Sequence, residues 1–106
     1  VPVNNDIVAA MKKINAGYAK GVIKAGTYPK QDKDVEAIVY SAHLVVSCAM
    51  PADQVYTMVK TMVANLPDMV AINKAMAGLT PKMMAEDIGV PFHPGAARYY
   101  KEVGAM

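Results

Sequence analysis

The residues of this sequence with the best chemistry for ligand binding are Thr27 and Tyr28, in the turn-forming run Gly26-Thr27-Tyr28-Pro29. A tyrosine ring combines an apolar face with a polar hydroxyl, which suits contact with a small solute. Tyr28 is therefore the first candidate ligand-binding residue, and Thr27 is the second. The alternative is that the Tyr28 ring packs under the turn while Pro29 fixes the chain direction.

The histidines and the single cysteine lack the partners that catalysis or metal binding needs. The closest acids to His93 are Glu86 and Asp87, and no second histidine or cysteine stands at ligand spacing. We expect His93 to cap the helix that begins directly after it. His43 lies in an apolar segment, where we interpret it as a hydrogen-bonded core or hinge residue. Cys48 follows small and apolar residues, which predicts a buried, inert thiol.

Nothing else in the sequence forms a catalytic constellation. Ser41 and Ser47 lack the G-x-S-x-G context of a nucleophilic serine. The sequence therefore predicts a protein that is not an enzyme, with no catalytic residue, metal site or cofactor.

A basic aromatic patch, Arg98-Tyr99-Tyr100-Lys101, stands near the end of the sequence. It could meet a partner protein or a carboxylate. The simpler interpretation is that one tyrosine packs inward while the charged side chains are solvated, because exposed charges usually contribute little. Lys24 and Lys30 are the other local cations, and the sequence gives no reason to direct any of the three toward a ligand.

Composition excludes several classes of function. The 106 residues carry 11 basic and 9 acidic side chains, so the net charge of +2 offers no dense basic patch for nucleic acid. The hydrophobic fraction of 54% is high for so short a chain. The sequence contains no run of about 20 apolar residues, so a membrane span is not expected. The apolar excess therefore predicts either a partner-covered face or a piece of a larger protein.

The ends and the cysteine content say little about the compartment. With Cys48 alone, no intrachain disulfide can form, which fits either a reducing compartment or the periplasm. The sequence begins at Val1 without a methionine or a signal-peptide pattern, and we interpret it as a processed or truncated chain.

The periodicity of the sequence predicts four or five helices and two short extended segments. Asn5 and Asp6 can begin a first helix that Gly17 ends. Pro51 opens a strongly amphipathic helix, and Thr80-Pro81 begins a short one. Pro67 is expected to break the helix that Pro51 opens or to begin the next one, which continues over residues 68–77 and ends at Gly78. The last helix is expected over residues 94–103.

The extended segments are expected at residues 21–23 and 35–49, the second rich in β-branched residues and buried. Two separated strands make no stable sheet alone. We therefore interpret residues 1–106 as a single partial domain whose strands need partners from elsewhere.

Three stretches of the sequence carry a resemblance to a known family. Residues 26–35, GTYPKQDKDV, are similar to a GTYPGQDEDV loop; residues 44–56, LVVSCAMPADQVY, are similar to LVVRADLPEDVVY; and residues 90–104, VPFHPGAARYYKEVG, are similar to VPLHPGAERYYREKG. In this order and spacing, the chain resembles the TAXI-family solute receptors of tripartite ATP-independent periplasmic (TRAP) transporters. It departs from them at Lys30, where glycine is usual, and at Ser47-Cys48, where a charged pair is more common.

The resemblance implies an α/β fold, the C-terminal portion of a type II periplasmic-binding-protein architecture with two lobes. It implies a non-enzymatic periplasmic receptor that closes by a hinge on a small anionic solute, a carboxylate or glutamate-like amino acid. The receptor's partner would be the membrane permease of the transporter. The chief binding arginine is then expected before Val1.

A second hypothesis does not use the resemblance. The chain could be a small helical interaction module that self-associates through the apolar faces of its helices. Its nine methionines fall mainly on helix stripes, which is typical of core filling and, secondarily, of adaptable docking surfaces.

Overall fold

A computed structural model describes residues 3–106, which form a mixed α/β chain. The elements in chain order are α1 (Asn5–Ile14), β1 (Tyr18–Ile23), β2 (Val35–Tyr40), α2 (Ala52–Ala64), α3 (Leu66–Ile72), a 3-10 turn (Lys74–Met76), α4 (Pro81–Met84) and α5 (Pro94–Glu102). The predicted mixture of helices with two short strands is confirmed. The described residues divide into two compact units, one of residues up to 43 with 87–89, and one of residues 44–86 with 90–106.

The first unit joins α1 to a β-hairpin. Asn4 caps α1, because its side-chain oxygen accepts a hydrogen bond from the backbone N–H of Ile7 at 2.9 Å. β1 and β2 pair antiparallel, from Tyr18 opposite Tyr40 to Ile23 opposite Val35. The Lys20 ammonium on β1 donates to the Asn5 side chain at 3.0 Å, which holds helix and strand together.

One face of the hairpin is entirely apolar. Successive side chains of a strand point to opposite faces of the sheet. Every second residue of β1 therefore lies on the same face as its partner on β2. The residues of this face are Ala19, Gly21, Ile23, Val35, Ala37 and Val39. Val35 and Val39 remain about two-fifths exposed, at 40% and 41%. Ala19, Gly21, Ile23 and Ala37 are partly buried, so the face is only partly covered.

The second extended segment is shorter than predicted. β2 ends at Tyr40, and residues 41–47 form no strand. Leu44 is 67% exposed and Val45 is 71% exposed, so the predicted burial is wrong for the described residues. A strand needs a neighbour for its N–H and C=O groups, and residues 3–106 supply none along this stretch.

The second unit has its core between α2 and α5. Val55 of α2 is 3% exposed, and the buried tyrosines of α5, Tyr99 and Tyr100, are 7% and 5% exposed. Partly buried residues complete this cluster: Val46, Met50, Tyr56, Val59, Val63, Met84, Ala85, Phe92 and Ala105. Gly95 lets the two helices approach closely, since a side chain there would lie 2.8 Å from the backbone nitrogen of Tyr56.

Candidate functional site

The connection between β1 and β2, residues 24–34, is called the hairpin tip here, and it contains two successive tight turns. The N–H of Thr27 donates to the carbonyl oxygen of Lys24 at 3.1 Å, and Gly26 between them has φ +80°. The N–H of Gln31 donates to the carbonyl oxygen of Tyr28 at 3.1 Å, and Lys30 has φ +64°. A positive φ at the third position only is the signature of a type II turn.

The Gln31 side chain braces the hairpin tip from inside. Its amide oxygen accepts from the N–H of Tyr28 at 3.3 Å. Its amide nitrogen donates to the carbonyl oxygens of Ile23 at 3.2 Å and Lys33 at 3.0 Å. These bonds join both ends of the tip to the second turn, so the backbone that carries Tyr28 is held in one conformation.

An ion pair closes the base of the tip. The Lys24 ammonium lies 2.7 Å from one carboxylate oxygen of Asp34, and the N–H of Ala25 donates to the other at 2.9 Å. The hydrogen bond from Lys24, followed by that from Ala25, holds the pKa of the Asp34 carboxyl below its ordinary value. Asp34 is thus charged at neutral pH, and its carboxylate forms an ion pair with the Lys24 ammonium.

Both predicted site residues lie in the hairpin tip. The Tyr28 side chain is 62% exposed, so its ring does not pack under the turn. The Thr27 hydroxyl donates to the carbonyl oxygen of Lys24 at 2.6 Å, which fixes its orientation. The structure therefore places the two side chains together on a braced, accessible turn, and their contact with a solute remains a prediction.

The sequence alone assigns no functional role to Lys30. An L-residue with a side chain is disfavoured at φ +64°, whereas glycine adopts this conformation freely. Lys30 thus stands at the position of the turn where glycine is preferred. Pro29 at the second position of the turn was the signal that could have revealed it.

His93 caps α5, as predicted. Its Nδ1 accepts a hydrogen bond from the N–H of Gly95 at 3.2 Å, which makes Nε2 the protonated nitrogen of a neutral ring. Nε2 lies 3.1 Å from the carbonyl oxygen of Met50, just before α2. The ring therefore joins the beginnings of α2 and α5, and this role is structural.

Two other residues lie in different surroundings from those predicted. Cys48 is exposed, so the prediction of a buried thiol is wrong. Cys48 stands in a turn in which the N–H of Met50 donates to the carbonyl oxygen of Ser47 at 3.0 Å. It is therefore not part of an extended strand. His43 is exposed and makes no hydrogen bond to the described residues, so it is not a core residue there.

The basic aromatic patch is largely used for packing α5 against α2. Both Tyr99 and Tyr100 are buried, where one was expected, and burial raises the pKa of Tyr100. The Arg98 guanidinium lies 2.8 Å from the Asp53 carboxylate and 4.3 Å from the centre of the Tyr56 ring. Arg98 is therefore already paired and stacked.

Tyr56 completes this contact between the helices. Its hydroxyl donates to the Glu102 carboxylate at 2.7 Å, and this bond, more than burial, raises the pKa of Tyr56. The pair links the middle of α2 to the last residue of α5. Tyr56 therefore contacts two residues of α5, Arg98 through its ring and Glu102 through its hydroxyl.

The described part of the chain shows no metal centre, and the depression described below is open to solvent. Among residues 3–106, no three His, Cys, Asp or Glu side chains are placed to hold a metal ion. An open depression in the second unit is lined by Lys82, Met83, Ala85, Glu86 and Ala105. A small solute is normally buried over most of its surface, which an open depression does not provide.

Comparison with known families gives a match that covers nearly the whole chain. The model of the NMT1-like family matches residues 1–104. This is a periplasmic-binding-like family of binding proteins, and its members are typically periplasmic or extracellular. None of the helices in residues 3–106 has the length and apolar character needed to cross a membrane. Because the match extends over 104 of the 106 residues, the chain belongs to the NMT1-like family.

Proposed function

We propose that the chain is the C-terminal portion of a periplasmic solute receptor of the TAXI family, which serves a TRAP transporter. Membership of the NMT1-like family supports a solute-binding role. The three stretches at residues 26–35, 44–56 and 90–104 support the narrower assignment. The intact receptor binds a small carboxylate or glutamate-like solute and delivers it to the membrane permease.

The observation that carries this proposal is the small amount of apolar surface that the chain buries by itself. Hydrophobic residues make up 54% of the sequence. The buried hydrophobic residues among those described are Val8, Val55, Ala96, Tyr99 and Tyr100. Burial of apolar surface is the main stabilising term in folding. A chain with this composition therefore fits best as one partial domain, covered by other parts of a longer polypeptide.

The apolar run Leu44-Val45-Val46 indicates which parts of a longer polypeptide would cover this segment. A continuous apolar run, in place of an alternating one, is typical of a strand buried on both faces in a parallel sheet. Leu44 and Val45 lie exposed in the described residues. In the intact receptor this segment becomes a strand of the mixed sheet of a two-lobed α/β fold, with neighbouring strands supplied by other parts of the polypeptide.

In this receptor the hairpin tip contributes one wall of the solute site. Tyr28 offers a ring and a hydroxyl on a braced turn, and Thr27 offers the lone pairs of its hydroxyl oxygen. Rigid presentation favours binding because little conformational freedom is lost. The opposite lobe encloses the solute by hinge closure.

Tyr28→Ala is expected to weaken solute binding by the intact receptor about tenfold, the effect of losing roughly 1.4 kcal/mol of contact. Titration calorimetry with the best-binding carboxylate measures the change, and the unfolding temperature checks that the receptor still folds. Tyr40→Ala is the matched control, because Tyr40 is also exposed, at 79%, but lies at the far end of the hairpin. An unchanged affinity for Tyr28→Ala would remove this residue from the site.

Self-association through apolar helix faces is the second candidate function, and exposed methionines favour it. Met58, Met83 and Met106 are 38%, 56% and 48% exposed. Flexible thioether side chains suit adaptable docking surfaces. This alternative requires the chain alone to form a discrete, well-folded dimer, whereas the receptor proposal expects an incomplete fold that associates without a fixed stoichiometry.

A further inference from the structure

Lys30 differs from Lys24, the cation at the base of the same hairpin tip, in having no ion-pair partner among residues 3–106. Lys24 is paired with Asp34 at 2.7 Å. Lys33 of the same tip also has no ion-pair partner among the described residues, so it is the backbone conformation that distinguishes Lys30 from Lys33. None of the ion pairs within residues 3–106 includes Lys30. An unpaired ammonium with three donor hydrogens is available to an anion.

The backbone of Lys30 is also held in a conformation that disfavours a side chain. Its φ of +64° is the third-position angle of the type II turn, where glycine avoids the steric cost. Strained residues of this kind cluster at binding and switch sites, where the surrounding structure holds them. Here the Gln31 side chain and the Tyr28 carbonyl hold the turn. A lysine at this position therefore contributes something that glycine lacks, and its cation is the difference.

We propose that Lys30 is an anion-binding residue of the hairpin tip, pairing with a carboxylate or phosphate group of the solute that contacts Tyr28. This inference rests on the proposed solute site, since Tyr28 and Lys30 are the first and third residues of the same turn. The turn fixes the start of the lysine side chain, while its four-carbon stem lets the ammonium adjust to the solute. Closure of the receptor removes water from the pair, which strengthens its attraction.

The test uses the intact receptor and three variants. Lys30→Gln keeps the strained backbone and nearly the side-chain length but removes the charge. Lys30→Gly removes both the charge and the strain. Lys33→Gln removes an exposed charge from the same tip and is the matched control. Calorimetry with L-glutamate, succinate and inorganic phosphate distinguishes carboxylate from phosphate recognition.

We expect Lys30→Gln to weaken the best-binding anion about tenfold, the lower end for a charge-assisted hydrogen bond. Lys30→Gly should weaken it equally while raising the unfolding temperature by about 2 °C or more, because the strain is relieved. Lys33→Gln should change the affinity less than twofold.

Three results would overturn the inference. Lys30→Gln could bind as tightly as the wild type while Tyr28→Ala binds weakly, which leaves the solute site intact but removes Lys30 from it. Lys30→Gln and Lys33→Gln could weaken binding equally, which would indicate only the general charge of the tip. If the wild-type receptor binds none of the three anions, the anionic solute of the proposed function fails together with this inference.

Discussion

Replacing Gly95 with alanine is expected to destabilise the second unit by about 3 kcal/mol, the upper range for forcing extra volume into a packed site. A Cβ at this position would overlap the carbonyl oxygen of Ala52 and lie 2.8 Å from the nitrogen of Tyr56. Both atoms belong to the backbone of α2, which cannot rotate away as a side chain can. The substitution therefore forces α5 away from α2 and loosens the core around Val55.

The direction of the stability change distinguishes close packing of α5 against α2 from helix propensity alone. Alanine in a helix is ordinarily more stable than glycine by about 0.5–1 kcal/mol. Urea unfolding of the intact protein measures the change. Ala97→Gly, two residues later in α5, is the control, with an expected loss near 1 kcal/mol from helix propensity alone. A Gly95→Ala protein that is more stable than the wild type would show that α2 and α5 do not approach closely.

The second large effect is expected at Tyr100, with a loss of about 3 kcal/mol or more for Tyr100→Ala. The ring is 5% exposed and meets Phe92 and Tyr99 edge-on, with ring centres 5.8 and 6.1 Å apart. Removing it leaves a cavity in the cluster that holds α5 on α2. The same denaturation measurement detects the loss.

Tyr100→Phe is the matched control for this position. It keeps the ring and both edge-on contacts, so the expected change is within about 0.5 kcal/mol. Equal losses for the alanine and phenylalanine variants would mean that the hydroxyl, and not ring packing, is what stabilises α5.

Local chemistry explains which elements could be predicted from the sequence. The oxygen of Thr80 and the ring of His93 were expected to begin helices, and each accepts an N–H of the turn that follows. The last helix was expected over residues 94–103; α5 ends at Glu102, and Gly104, after the C-cap Val103, adopts φ +68°. Each of these signals acts within a few residues, so no knowledge of the tertiary structure was needed.

Features that depend on distant parts of the chain could not be predicted. The β-branched residues after Tyr40 have the composition of a buried strand, yet Leu44 and Val45 are exposed because residues 3–106 give them no neighbour. Cys48 is exposed for a related reason, since the turn at Ser47 ends the extended conformation. The close approach at Gly95 is likewise visible only once α2 and α5 are placed together.

Part of the candidate site could be predicted from the sequence. Turn chemistry made Tyr28 a candidate but left open whether its ring packs under the turn, and its 62% exposure required the structure. Pro29 and the turn type could have revealed the positive φ of Lys30, whereas the pairing of Lys24 with Asp34 required the structure. Which charges neutralise one another depends on contacts between residues far apart in sequence.

The central claim is that other parts of a longer polypeptide cover residues 41–47, and amide hydrogen exchange tests it most directly. Isolated residues 1–106 should exchange these amides at nearly the rate of an open chain, because no described backbone group accepts from residues 41–46. In the intact protein the same amides should exchange about a thousandfold more slowly, as expected of paired strands that open rarely. Equally rapid exchange in both proteins would contradict the account.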